Sequence, residues 1–181
     1  VSRGSALGVT WFVPDEDTYT PSRTKFLDEI CGLLGGRAAE ALVMKDITTG
    51  ASSDIERASS IARGMAMRYG MDESLGPVAY GESQGSASFG TDLASMRNYS
   101  EESARKIDAF VKGTLDEQYK RAYAMLTKHE KKLHEITKVL LKKETLSVEE
   151  FIDIFEDKPV GTTKKKKAEA KEREAKESDE A

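Results

Sequence analysis

A mainly α-helical bundle with a small β element near the N-terminus is the fold this chain predicts. Apolar residues recur at three- and four-residue spacing over most of its length, and helix N-cap signals stand ahead of those runs. A single short run, Ala6-Leu7-Gly8-Val9-Thr10-Trp11-Phe12-Val13, is β-branched and aromatic instead. The 181 residues suffice for one domain with a sizeable core, expected over residues 1–157. From Lys158 to residue 181 the chain is rich in Lys, Glu and Ala with almost no apolar residue, which reads as a solvated, disordered tail.

The strand at residues 6–13 ends at Pro14, and Pro14-Asp15-Glu16-Asp17 turns the chain. Thr20 followed by Pro21 is a good N-cap and N1 pair, opening a helix expected to run to about Val43. Phe26, Leu27, Ile30, Leu33, Leu34, Ala38 and Ala41 form its apolar side. Gly35-Gly36 inside it costs about 1 kcal/mol per glycine relative to alanine, and such a cost predicts a close approach by another backbone.

A second helix should start near Asp54, where Ser53 and Glu56 make an S-x-x-E capping box, and end at Gly70. Residues 71–99 are rich in Gly and Ser and read as a long loop. Ser100 caps the longest helical stretch, marked by Ile107, Val111, Leu115, Tyr119, Ala122 and Leu126. A further helix carries Leu133, Ile136, Val139 and Leu140. Ser147 and Glu150 form a second capping box before Phe151, Ile152, Ile154 and Phe155.

Asp54 is the residue out of place. At ~100° per residue, Ala58, Ile61, Ala62, Met65 and Tyr69 gather on one side of the second helix, and Asp54 falls with them. Two readings are open: the carboxylate complements the helix dipole in the first turn, or it meets a cation such as a metal ion.

Other motifs are weaker. His129-Glu130-Lys131-Lys132-Leu133-His134 departs from H-E-x-x-H by one residue, and histidines five apart lie ~140° from each other around a helix. The pair is rejected as a zinc site. No P-loop and no G-x-S-x-G elbow occurs. A net charge of −4 gives no basic surface for nucleic acid, and the Lys164–Lys167 run is largely cancelled by Glu169, Glu172, Glu174 and Glu177. The one cysteine, Cys31, fits a reducing compartment and reads as a buried small hydrophobe. Neither a membrane span nor a signal peptide is visible. A chain beginning with Val1 inside ordered-looking sequence reads as a piece of something longer.

Four segments in order carry a family likeness: Leu33-Leu34-Gly35-Gly36-Arg37-Ala38-Ala39-Glu40, Thr48-Thr49-Gly50-Ala51-Ser52-Ser53-Asp54, Arg68-Tyr69-Gly70-Met71 and Leu75-Gly76-Pro77-Val78-Ala79-Tyr80-Gly81. Together with Tyr99–Asp108 and Lys143-Glu144-Thr145-Leu146, they resemble the peptidase domain of FtsH-type ATP-dependent zinc metalloproteases over residues 3–157.

The resemblance implies that Asp54 is the third protein ligand of a catalytic Zn2+. The other two ligands would be the histidines of an H-E-x-x-H helix whose glutamate is the general base, and that motif is not in these 181 residues. No catalytic residue is therefore assigned within the chain, which alone should be inactive. Glu40, ending the G-G-R-x-x-E run, matches a glutamate near the zinc helix and would orient a ligand histidine; a helix-edge surface glutamate is the competing reading. Ala6, Leu7, Gly8 and Val9 match a strand at the cleft rim to which an extended protein substrate could add.

The parent protein would bind ATP and Mg2+ in an ATPase module outside this chain. It would be a homo-hexamer, anchored by an N-terminal segment at the cytoplasmic face of a bacterial-type inner membrane, and would unfold and processively degrade membrane and cytoplasmic proteins. The alternative is a non-catalytic helical oligomerisation or adaptor module descended from the same domain. Separation from a zinc helix would expose apolar surface, so the isolated chain is expected to be marginally stable or to aggregate. A sharp, cooperative thermal transition of a monomer in calorimetry would contradict this.

Overall fold

The computed structural model describes residues 20–81 and 99–159, and among them every regular element is helical. The chain divides into two compact units, with the boundary between Thr127 and Lys128. The expected strand at residues 6–13 and most of the tail lie outside the described residues, as do residues 82–98 of the Gly/Ser-rich loop.

In the larger unit, helix α1 spans Arg23–Leu33 and the short α2 spans Gly35–Ala39. A π turn, Glu40–Met44, follows and closes at Lys45 in the left-handed conformation. A 3-10 turn at Thr49–Ala51 leads directly into α3, Ser52–Met67, and α4 spans Glu101–Lys128. The core forms where α3 lies against α1. Ala58, Ala62, Met65 and Ala66 of α3 are fully buried, and they meet Ile30, Leu33 and Leu34 together with Ile107 and Val111 of α4. Alanines at the contact let helix axes approach closely enough for the larger side chains to interdigitate.

Several sequence expectations need correction here. The N-cap of α1 is Ser22, whose hydroxyl accepts from the Lys25 amide at 3.2 Å, and not Thr20. Serine and threonine compete as caps on local geometry, and Ser22 has the extended backbone that a cap requires. The expected single helix to Val43 is broken into α1, α2 and the π turn. A Cβ built on Gly35 or Gly36 would meet nothing within 4 Å among the described residues, so no close backbone approach accounts for that pair. The capping box at Ser53 does not form. Helix α3 begins at Ser52 after Ala51, which offers no side-chain cap, because the 3-10 turn already supplies the lead-in.

Helix α3 ends as expected around Gly70, which adopts φ +59° while the Met71 amide donates back to the Met65 carbonyl at 3.0 Å. Phe26 stacks on Tyr69 at 5.4 Å, pinning this end of α3 to the start of α1. Ser100 caps α4 through the Ser103 amide at 3.2 Å.

The smaller unit contains α5, Glu130–Lys143, and α6, Val148–Phe155. The Ser147–Glu150 capping box forms as expected. Lys132 of α5 reaches the Ile154 carbonyl at 3.1 Å and the Asp157 carboxylate, tying α5 to the C-terminal end of α6. Phe151 and Phe155 stack on each other yet stay substantially exposed.

Gly70 and Gly76 both have positive φ, but only Gly70 is crowded: a Cβ there would lie 2.9 Å from the Pro77 Cα. Gly76→Ala should cost about 1 kcal/mol, the conformational penalty alone, and Gly70→Ala about 1–3 kcal/mol more. Urea-unfolding midpoints of the two variants test the difference, and equal losses would exclude the clash.

Candidate functional site

The geometry around Asp54 starts six residues earlier. Thr48 has extended backbone, and its hydroxyl accepts from the Gly50 amide at 3.1 Å, which caps the 3-10 turn. The same hydroxyl donates to Glu40 Oε1 at 2.6 Å, a short charge-assisted bond. The Thr48 amide points to Glu40 Oε2 at 3.4 Å, and the Thr48 carbonyl accepts from Arg37 Nη1 at 3.2 Å. The donor, the carbonyl and the side chain of one residue are thus all held by α2 and the first residue of the π turn. Gly50 leaves room for this arrangement, since a Cβ there would lie 3.2 Å from Thr48 Oγ1 and 3.5 Å from Glu40 Oε1.

From this anchor the chain rises through buried Ala51, and the Ser52 amide donates to the Thr49 carbonyl as α3 begins. Asp54 is the third residue of α3 and the one acidic residue of its first turn. The sequence placed it with the inward-facing residues, and it is half-buried, one turn before fully buried Ala58. Its carboxylate has no hydrogen-bond or ion-pair partner among the described residues. The positive end of the α3 dipole stabilises negative charge at this position. Lone pairs that no protein donor occupies suit a hard or borderline cation, so the donor fits one ligand position of a zinc ion. It fits one position only. Among the described residues no group of three or more His, Cys, Asp or Glu gathers to hold a metal.

Glu40 is half-buried and close to the turn that leads to Asp54, with both carboxylate oxygens directed at Thr48. Ala6, Leu7, Gly8 and Val9 lie outside the described residues. Sequence reasoning assigned no role to Thr48 or Arg37. A local signal existed for the first, since Thr48-x-Gly50 is the pattern of a hydroxyl-capped turn. The Arg37 contact spans eleven residues and has no local signature.

The rejected histidine pair stays apart in role as well as in spacing. His129 sits between α4 and α5 with its ring 5.2 Å from that of Phe155, whereas His134 lies inside α5, 3.9 Å from Glu130. Cys31 is buried as expected, beside a groove of about 370 Å³ that Arg121, Ala122, Met125 and Leu126 of α4 also line. Burial pushes its thiol above the ordinary range, against a smaller opposing pull from the Arg121 guanidinium. Arg121 is itself engaged with Asp28 at 2.7 Å.

None of the helices among the described residues is long and apolar enough to cross a membrane.

A family model described as Peptidase family M41 matches residues 1–154. Similar curated proteins are each named ATP-dependent zinc metalloprotease FtsH. The chain is 48% identical over 155 residues to FtsH 1 of a Thermoanaerobacter species, an alignment covering 86% of this chain and 25% of that protein. It is 47% identical to the protein of Caldicellulosiruptor bescii and 45% to that of Thermotoga maritima, each over 158 residues, covering 87% of this chain and 26% of the relative. The chain therefore spans about a quarter of the length of the curated relatives it matches.

Because only the thiolate alkylates, a buried thiol with a raised pKa should react slowly. Cys31 is expected to resist iodoacetamide at pH 8 in the folded chain and to react promptly in denaturant, as mass spectrometry would read. Rapid labelling of the folded chain would contradict its burial. With α1, α2 and α3 arranged as described and the family model covering residues 1–154, the chain belongs to peptidase family M41, as an FtsH-type peptidase domain.

Proposed function

We propose that this chain is the peptidase part of an ATP-dependent zinc metalloendopeptidase and that Asp54 supplies the third protein ligand to its zinc. The observation that carries this reading is a half-buried carboxylate without a described partner, on the first turn of a helix whose lead-in is capped by Thr48 and anchored by three hydrogen bonds to Arg37 and Glu40. Histidines and a general-base glutamate from an H-E-x-x-H helix elsewhere in the protein complete the set. Exposed Val43, Met44 and Ile47, on the π turn and the segment after it, support a site finished by further protein. The cation, when bound, would supply Lewis acidity that polarises a peptide carbonyl and makes a water easier to deprotonate near neutral pH.

Within this chain, Asp54 holds one coordination position and contributes one negative charge. Glu40 supports the ligand arrangement. Ala6, Leu7, Gly8 and Val9 pair with an extended substrate through backbone hydrogen bonds, which suits little sequence preference. Residues 1–157 are the peptidase domain, and 158–181 a solvated tail. The whole protein is a membrane-anchored homo-hexamer at the cytoplasmic face of a bacterial-type inner membrane. Its ATPase ring, with ATP and Mg2+, unfolds membrane and cytoplasmic proteins that the peptidase ring then degrades processively. Alone, the chain has too few ligands to hold a catalytic zinc and is inactive.

In the full-length protein, Asp54→Asn should lower zinc content and reduce proteolysis by more than about 100-fold, beyond the range of changes that only support a ligand. ATP hydrolysis should continue. Atomic absorption, degradation of a casein substrate and phosphate release measure the three quantities. Undiminished proteolysis in the variant would remove Asp54 from the site. An adaptor role would instead leave the parent protein without proteolysis before any substitution.

A further inference from the structure

We infer that Thr48, held by Arg37 and Glu40, is a positioning residue that sets the placement of the Asp54 carboxylate for metal binding. The inference rests on the reading of Asp54 as a ligand and adds how this chain holds it in place. Helix α3 has no side-chain cap of its own: Ala51 precedes it, and the Ser53–Glu56 box is not formed. Asp54 lies in the first turn, where helices fray most readily. What stabilises that turn is therefore the 3-10 turn before it, and the 3-10 turn is anchored at Thr48.

Thr48 is exposed, so each of its hydrogen bonds alone contributes little. Their number and arrangement matter more. Glu40 Oε1 accepts the hydroxyl proton at 2.6 Å, which orients the oxygen's lone pairs toward the Gly50 amide at 3.1 Å. Arg37 at 3.2 Å fixes the carbonyl on the other side of the residue. Loss of the hydroxyl thus removes the bond to Glu40 and the cap of the turn together. Fraying of the first turn of α3 would release the Asp54 backbone from the helix and let the carboxylate leave the inward side. A ligand that must be ordered on binding gives weaker metal affinity than one already in place.

The test uses the full-length protein and measures zinc affinity by competition with a chromophoric chelator. Unfolding of the zinc-free protein is followed in parallel. Thr48→Val keeps the shape and removes the hydroxyl; it should weaken zinc binding about 10-fold or more, the range found when groups supporting a ligand are lost. Thr48→Ser keeps the hydroxyl and should remain within about 3-fold of the parent, on that same scale. Gly50→Ala retains every donor but crowds Thr48 Oγ1 and Glu40 Oε1, and should also weaken zinc binding. In an Asp54→Asn background, Thr48→Val should have no further effect on residual zinc binding, since coupled residues are not additive.

If Thr48→Val leaves zinc affinity unchanged while lowering the stability of the zinc-free protein, Thr48 serves the fold alone and the inference is overturned. Should Thr48→Val fail to fold, Gly50→Ala decides, with unchanged affinity counting against the inference. If Asp54→Asn itself leaves affinity unchanged, the ligand assignment fails, which is a separate result.

Discussion

The contact between α3 and α1 is the constraint from which the rest of the larger unit follows. Ala58 and Ala62 are fully buried against the side of α1 that carries Ile30, Leu33 and Leu34. Small side chains at that seam bring two backbones close, and a close seam leaves little freedom in the rotation of α3 about its own axis. Once the rotation is set, the direction of each residue is set wherever the helix is wound. Surface ion pairs tie α1 to α3 through Arg57–Glu29 and to α4 through Arg121–Asp28, but exposed pairs of this type add little compared with the packed core.

Core and terminus divide the work of holding Asp54. The buried alanines define the axis of α3, yet they begin four residues beyond Asp54. The first turn lies between that seam and buried Ala51, and the hydrogen bonds to Thr48 hold its lead-in. The half-buried Asp54 carboxylate, without a described protein partner, is left to the dipole of its own helix and to solvent. A polar lead-in built from an arginine, a glutamate and a threonine makes physical sense where a side chain must be presented rather than packed.

How much of this was legible in the sequence depended on the range of the interaction. The period of Ile107, Val111 and Ala122 and the box at Ser147 and Glu150 are local patterns, and both appear as read. The inward placement of Asp54 was legible too, because rotation about a helix is a local property once Ile61 and Met65 define the inward side. The cap of α3 was misread for the opposite reason. Ser53 and Glu56 have the right spacing, but Glu40, thirteen residues before Ser53, secures a different start through Thr48. Gly35-Gly36 carried a cost without the close approach it suggested, and the structure instead breaks the helix just before the pair. Positive-φ residues such as Lys45 and Glu144 were invisible to composition, since neither is a residue type that advertises a left-handed turn.

The π turn at Glu40–Met44 decides where this segment accepts a change of length. A π turn spreads its residues over a wider loop than an α turn, so it contains about one residue more than the same advance of ordinary helix. That extra residue sets the angle at which the chain leaves Lys45 and returns toward α2 with Thr48. Deletion of one residue from 45–47, beyond the turn, cannot be absorbed by a return to ordinary α spacing and would move the returning chain by one residue spacing, about 3.8 Å. Arg37 and Glu40 would then face a different residue, even though neither had been altered. Substitutions on the exposed side of the turn should be tolerated much more readily than a change in the residue count between Lys45 and Thr48. Among relatives, variation between residues 45 and 48 is therefore expected to take the form of exchanged side chains at constant length.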